Sequence, residues 1–361
     1  MRILHTESST GWGGQENRTM NELISMRERG HEMAVLSRPG ARILERAKEA
    51  GFQTFAVNMR SAVDFPAIFK LRRVMNTFHP DVVNTHSGRD TQLAGMAARS
   101  LIGRPLIVRT RHLALPITSK FSYSILPDHV VTVSKYVESY LVKAGVPSNQ
   151  VSTVSTGVDF SRYDRATVQG NLREELGLTA DSLLIGTVAI LRAKKGHNEI
   201  LDAAPEVLKR FPNAHFVFAG DGPQTENLKA RIAADGLTGR VHMLGLRRDV
   251  TNVLASLDVF VLPTHQEALG TAFIEAAAMG VPAVASNVDG VPEVVLDGQT
   301  GLLVPAQDGK ALIEPICRLL GDPIFRQSMG ANATEFVRRK FSREVMAHGM
   351  ERLYQRLLEA R

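Results

Sequence analysis

The chain has 361 residues, 44% of them apolar and 22% charged, the proportions of a soluble globular protein with length for roughly two domains. Its single cysteine, Cys317, excludes an internal disulfide framework or a cysteine metal cluster and reads as a buried thiol in a helix. The formal charge of +6 resides in the first half, where residues 1–165 carry 22 Lys and Arg against 14 Asp and Glu. That excess favours an anionic partner there: an acidic substrate, a phospholipid surface or nucleic acid.

Arg2-Ile3-Leu4-His5 reads as a short opening strand. No apolar leader precedes Glu7, and no run approaches the roughly 18 apolar residues of a membrane span, so a cytoplasmic protein is expected. The loop Gly11-Trp12-Gly13-Gly14 follows, with a helix from about Gln15 to Arg29 stopped by Gly30. A dinucleotide fingerprint would want glycine where Glu16 stands, which argues against NAD. Apolar runs at Met33–Ser37, Phe52–Val57, Val82–Thr85, Leu106–Val108 and His129–Val133 continue the series, with helical patterns between most of them. Strands alternating with helices imply a parallel sheet covered on both faces.

His86 and His112 each end one of these strand runs. Two segments of this half, Phe65–Met75 and Ser119–Leu126, mix aromatic, apolar and basic residues. They suit weak peripheral association with an anionic membrane face as well as a core-facing helix with a solvated basic side.

Between Val154 and Gly170 the pattern lapses. A second series begins at Leu183–Val188 and runs through His215–Ala219, Val241–Leu244, Val259–Leu262 and Pro282–Ala285. The expected architecture is α/β, two Rossmann-like domains facing a central cleft. Residues 1–165 form the first, 166–341 the second, and a final helix over 342–361 packs back towards the first. Ligands of open α/β sheets bind beyond the carboxyl ends of the strands.

In the second half, Arg192-Ala193-Lys194-Lys195-Gly196 follows its first strand, where cations can meet an anion. The strand Val259–Leu262 leads through Pro263 to Glu267, Leu269, Gly270 and Thr271, then to a helix running to Met279. The first amides of that helix lack intrahelical partners and carry the positive end of its dipole, which suits a phosphate. Gly270 lets an anion approach the backbone. Glu267 and Glu275, with seven residues between them, bracket that point and suit hydroxyl groups. The ligand suggested is a phosphate flanked by polyols.

Glu267 and Glu275, with Gly270 between them, match the E-x7-E motif of retaining glycosyltransferases of the GT-B fold, family 4, which nearly the whole chain resembles. The resemblance implies a nucleotide-diphospho-sugar donor and a glycan or lipid-linked acceptor of the cell-envelope polysaccharide or lipopolysaccharide type. It implies a cytoplasmic enzyme, peripheral on the inner face of the cytoplasmic membrane. Lys195 and Arg192 would neutralise the leaving diphosphate beside the amides of Leu269, Gly270 and Thr271. Arg192 stands in for the family's usual arginine, whose position Ile190 occupies. Glu275 would hold the ribose, Glu267 a donor-sugar hydroxyl, and His112 would contact the donor sugar. Gly13 and Gly14 would lie against the diphosphate and acceptor, and Leu246 in the segment lining the base. No Asp-x-Asp occurs, so no metal and no resident cofactor are expected.

Two other readings have distinct signatures. A nucleotide-sugar 2-epimerase shares the architecture and would need groups for elimination and re-addition of the diphosphate. A non-catalytic nucleotide or nucleic-acid binding module would fit the basic first half, but an aromatic content of 6% without stacking clusters speaks against nucleic acid.

Overall fold

A computed structural model describes residues 1–117 and 119–361. The chain divides into two compact units, Met1–Val158 with Phe341–Arg361, and Asp159–Lys340.

The first unit is built on a seven-stranded parallel sheet in the order β3-β2-β1-β4-β5-β6-β7. Its strands are β1 (Arg2–Glu7), β2 (Glu32–Ser37), β3 (Gln53–Ala56), β4 (Val82–Thr85), β5 (Leu106–Arg111), β6 (His129–Thr132) and β7 (Val151–Thr153). Leu4 pairs with Ala34 on one side and Val83 on the other. The strands read as continuous apolar runs because helices cover both faces. One core layer holds Ile3, Leu23, Val35 and Val108, and the other Leu4, Leu36, Leu71, Phe78 and Leu93.

The C-terminal helix Arg343–Glu359 starts at Ser342, whose side chain accepts from Val345 N. Its Met346, Met350, Leu353 and Tyr354 complete the first of those layers. Gly157 explains how closely the chain runs here, since a Cβ on it would lie 2.6 Å from Arg343 Cα.

The second unit repeats the plan with six parallel strands in the order β10-β9-β8-β11-β12-β13. They are β8 (Leu183–Val188), β9 (Ala214–Ala219), β10 (Val241–Gly245), β11 (Val259–Leu262), β12 (Ala283–Ser286) and β13 (Gly301–Val304). Phe216, Phe218, Val259, Val261, Val284 and Leu319 share one core with Cys317, a buried thiol on helix Ile313–Gly321. Each half thus has the doubly wound order of a Rossmann fold. The order reverses between β1 and β4 in one unit and between β8 and β11 in the other, and such a switch point is where ligands bind.

The alternation of strand and helix read from the sequence holds in both units. Two strands escaped it. In β7 the run Val151-Ser152-Thr153 is short and polar, and β13 opens on Gly301, where a Cβ would lie 2.6 Å from Ala283 O.

Candidate active site

In the second unit, the loops leaving β8 and β11 meet at the switch point. Gly196 holds them together: its φ is +75°, and a Cβ there would fall 2.1 Å from Pro263 O. Only glycine allows that approach. His265 N donates to Lys194 O at 2.7 Å, and Thr264 Oγ1 donates to the same oxygen at 3.0 Å. The His265 ring bonds Glu199 Oε1 at 2.6 Å. This lacing brings Lys195 Nζ within 2.5 Å of Glu267 Oε2, both side chains 19% exposed.

The turn into helix Thr271–Ala278 is fixed by Gly270, whose φ is +95°. A Cβ there would also lie 2.6 Å from Phe273 Cδ2. Leu269 beside it is buried and Thr271 half-buried. A third loop, after β12, anchors the turn from behind. Asp289 accepts from Glu267 N at 3.0 Å, and Gly290 N donates to Glu267 O at 3.0 Å. Asp289 adopts φ +49° to do so. The spacing of Glu267 and Glu275 does not reveal Asp289; the dipeptide Asp289-Gly290, a turn signal after a strand, is its trace in the sequence.

Glu275 lies about one turn into the helix, on the side of Tyr163, to which its carboxyl is hydrogen-bonded. Burial pushes that carboxyl up to about 7, against the opposing pull of Tyr163 and Arg162. Desolvation and the Glu275 charge together raise the Tyr163 hydroxyl. The segment carrying Tyr163 is tied down twice, by Arg338 donating to Tyr163 O at 2.6 Å and by Arg165 donating to Met279 O at 2.9 Å. Tyr163 falls in the stretch where the sequence pattern lapses.

Arg192 is exposed on the β8 loop, and its side chain makes no hydrogen bond or ion pair among the described residues. Ile190, in the place of the family's arginine, is 52% exposed. Leu246, past the end of β10, is 78% exposed. The neighbouring Arg247 is occupied by ion pairs with Glu175 and Asp249. The second unit therefore gathers Glu267, Lys195, Gly270, Thr271 and Glu275 at one point. Helix amides and a lysine can hold an anion there, and two carboxylates can accept from hydroxyls.

In the first unit the switch point carries Gly13, Gly14 and a histidine chain of buried His5 and His86 and half-buried His112. Gly13 N donates to Glu16 Oε2 at 2.8 Å, and a Cβ on Gly14 would meet nothing within 4 Å. Glu16, which argued against a dinucleotide loop, thus closes the turn instead. The chain runs from His5 Nδ1 to His86 Nε2 at 2.8 Å and from His86 Nδ1 to His112 Nε2 at 3.0 Å. Beyond it, His5 Nε2 is 3.6 Å from Glu22 Oε1. Burial holds all three imidazoles below their usual range, His86 and His112 well below. Three neutral rings bonded in series allow two proton arrangements. With His5 Nε2–H turned to the Glu22 carboxylate, His112 donates from Nε2 and offers Nδ1 as an acceptor. Tyr354 on the C-terminal helix donates to Glu22 Oε1 at 2.9 Å and receives Asn84 Nδ2 at 2.8 Å. The sequence marks His112 and His86 at strand ends; His5 and Glu22, far away along the chain, are joined to them only by the fold.

Two family models match the chain: glycosyl transferases group 1 over residues 168–336, and glycosyltransferase family 4 over residues 12–162. The chain is a group 1 glycosyltransferase. This glycosyltransferase is 28% identical over 295 residues to the UDP-Gal:alpha-D-GlcNAc-diphosphoundecaprenol alpha-1,3-galactosyltransferase of Escherichia coli, covering 75% of its own length and 74% of that protein. Its structure is similar to that of a glycosyltransferase from Rickettsia africae, with a TM-score of 0.88 at 20% identity over 99% and 98% of the two chains. It is also similar to Anabaena HepE solved with UDP-glucose, with a TM-score of 0.82 at 20% identity over 98% and 99%. The fold is GT-B.

Proposed function

We propose that this glycosyltransferase moves a sugar from a nucleotide-diphospho-sugar to a glycan or lipid-linked acceptor of the cell envelope, without a metal ion and with retention of anomeric configuration. The observation that carries the reading is the meeting of Lys195, Glu267 and the Gly270 turn at the β8–β11 switch point. The donor diphosphate is assigned to the amides of Leu269, Gly270 and Thr271, with Lys195 and Arg192 as its counter-charges. Charge growing on the leaving oxygen is what these groups reward, so their effect falls on the transition state.

Glu275 is assigned to the ribose hydroxyls, Glu267 to a hydroxyl of the donor sugar and Leu246 to the base. His112 is given a donor-sugar hydroxyl, and Gly13 and Gly14 the phosphate and acceptor side. Retention rests on the family resemblance, and so does the acceptor class, which the diphosphoundecaprenol substrate in the name of the E. coli relative supports. The donor carries the nucleotide in, so no resident cofactor is invoked.

Helix Phe65–Phe78 buries Ala67, Leu71, Met75 and Phe78 and leaves Phe65 and Phe69 exposed beside Lys70, Arg72 and Arg73. No helix among the described residues is long and apolar enough to cross a membrane. We assign Phe65 and Phe69 to weak peripheral contact with an anionic membrane, on the inner face, to be read by vesicle flotation at low and high salt. The enzymatic reading is tested by incubating the protein with a panel of UDP-, GDP- and ADP-sugars in EDTA and following release of the nucleoside diphosphate. Release of none, or release only after a divalent ion is restored, would remove it.

A further inference from the structure

A cavity lies in the first unit, at the carboxyl ends of β4 and β5. Its volume is about 360 Å³, and Arg89, Arg109, Arg111, Gln92, Ser119 and Tyr123 are among its lining residues. That size falls within the range of small-molecule sites, roughly 300–1,000 Å³. Among the described residues three guanidiniums line it and no carboxylate does.

None of the three arginines is ion-paired among the described residues. Arg109, 3% exposed, donates to Ser122 O and Ser122 Oγ at 2.8 Å and to Tyr123 OH at 2.9 Å. Its Nε has no hydrogen-bond partner among the described residues. Arg111 donates to Leu115 O at 2.6 Å, and its Nε is also buried with no partner among the described residues. Arg89 donates to Met59 O at 3.1 Å. The Tyr123 ring lies under both Arg109 and Arg111, 3.6 and 5.6 Å from their central carbons. Asp90, the acid nearest in charge to Arg109, is spent elsewhere: it accepts from His86 N and Ser87 N at 2.8 Å and Thr6 Oγ1 at 3.0 Å. A buried cation without a counter-charge is costly, and its usual complement is an anion. Gly88, which also lines the cavity, begins the helix Gly88–Arg99, whose first amides lack intrahelical partners. A Cβ on Gly88 would sit 3.9 Å from Arg109 Nη2. Guanidinium forks and a helix N-terminus together match phosphate oxygens better than hydroxyls.

We propose that this cavity takes a phosphate or pyrophosphate group borne by the acceptor substrate. The proposal rests on the transferase reading for the word acceptor, but its anion chemistry stands on the first unit alone. It makes acceptor choice depend on Arg89 and Arg111.

The experiment is calorimetric titration of the full chain with inorganic pyrophosphate. Lys195→Ala, which weakens the assigned donor site, is the background for adding Arg89→Gln or Arg111→Gln. Both arginines are partly exposed, and circular dichroism checks that the variants fold. Pyrophosphate should still bind Lys195→Ala, and either added substitution should weaken it roughly 10- to 100-fold, the loss of a charge-assisted hydrogen bond. Binding that vanishes in Lys195→Ala, or persists undiminished after both arginine substitutions, overturns the proposal.

Flotation with phosphatidylcholine vesicles, with and without polyprenyl phosphate, separates the sources. Retention that needs both the dopant and Arg111 identifies a lipid-borne phosphate; pyrophosphate binding without retention identifies a soluble one. Nucleoside diphosphate titration runs in parallel. Its failure would count against the transferase reading, whereas failure of pyrophosphate alone counts against this cavity.

Discussion

Lys195 Nζ stands 2.5 Å from Glu267 Oε2, joining the loops that leave two neighbouring strands, β8 and β11. The pair is only partly buried, so solvent screens it and it adds little to stability. Its consequence is positional, because it holds an ammonium beside the Gly270 turn. Lys195→Ala should therefore lower turnover by roughly 10²–10³, the cost of losing one charge-stabilising group, and leave the melting temperature nearly unchanged. Steady-state kinetics decide it: unchanged turnover removes Lys195 from the mechanism.

Gly270 is required twice, by its φ of +95° and by Phe273 at 2.6 Å from an added Cβ. Gly270→Ala should cost at least about 1–2 kcal/mol in stability and weaken nucleoside diphosphate binding more than Thr271→Ser does. Chemical denaturation with calorimetry measures both. A variant of native stability and affinity would show that the turn relaxes at no cost.

The Glu275 carboxyl, raised to about 7 by burial beside Tyr163, is partly protonated at neutral pH in the empty protein. Hydroxyl donors favour its charged form. Nucleotide affinity should therefore improve as pH rises towards and past about 7, beyond what the phosphate's own titration gives. Glu275→Gln should lose that extra slope, and Tyr163→Phe should shift it. A pH series of Kd for the three proteins is the measurement; parallel slopes would contradict the assignment.

Glu7, fully buried at the end of β1, is raised to about 8 by burial and by nearby Asp90, against donation from Ser9 N at 2.8 Å. A carboxyl raised in the folded state contributes stability that is fully present below its unfolded value near 4.5 and lost as pH rises through about 8. Denaturation midpoints should fall across that window, and Glu7→Gln should flatten the fall. A wild-type curve already flat from pH 5 to 8 would show Glu7 ionised in the fold.

The histidine chain makes a separate forecast. His86→Phe leaves buried nitrogens of His5 and His112 without partners, at about 1–3 kcal/mol each. It should also lower turnover and alter its pH profile while nucleoside diphosphate Kd is unchanged. His86→Gln, which can still donate and accept, should recover part of the turnover. Equal turnover in both variants and wild type would make the chain purely structural.

Much of this molecule is legible in its sequence because parallel strands buried on both faces announce themselves as apolar runs, as Val259–Leu262 does. Gly270 and the spacing of Glu267 and Glu275 are local, and local geometry can be read from order along the chain. Tyr163 reaches Glu275 across 112 positions of sequence, Asp289 reaches Glu267 N from the next loop, and His5 meets His86 across the sheet; no periodicity records such meetings. The arginine cavity was hidden for the same reason. The excess of basic residues in the first half points to an anion but does not say that Arg89, Arg109 and Arg111 share one hollow.

The most direct measurement is calorimetric titration of the cognate nucleoside diphosphate, in EDTA, into wild type, Lys195→Ala and Arg192→Ala. The account predicts binding by the wild type without any divalent ion, weakened roughly 10- to 100-fold in Lys195→Ala and less in the more exposed Arg192→Ala. Binding that appears only when a divalent ion is added, or that neither substitution disturbs, would contradict it.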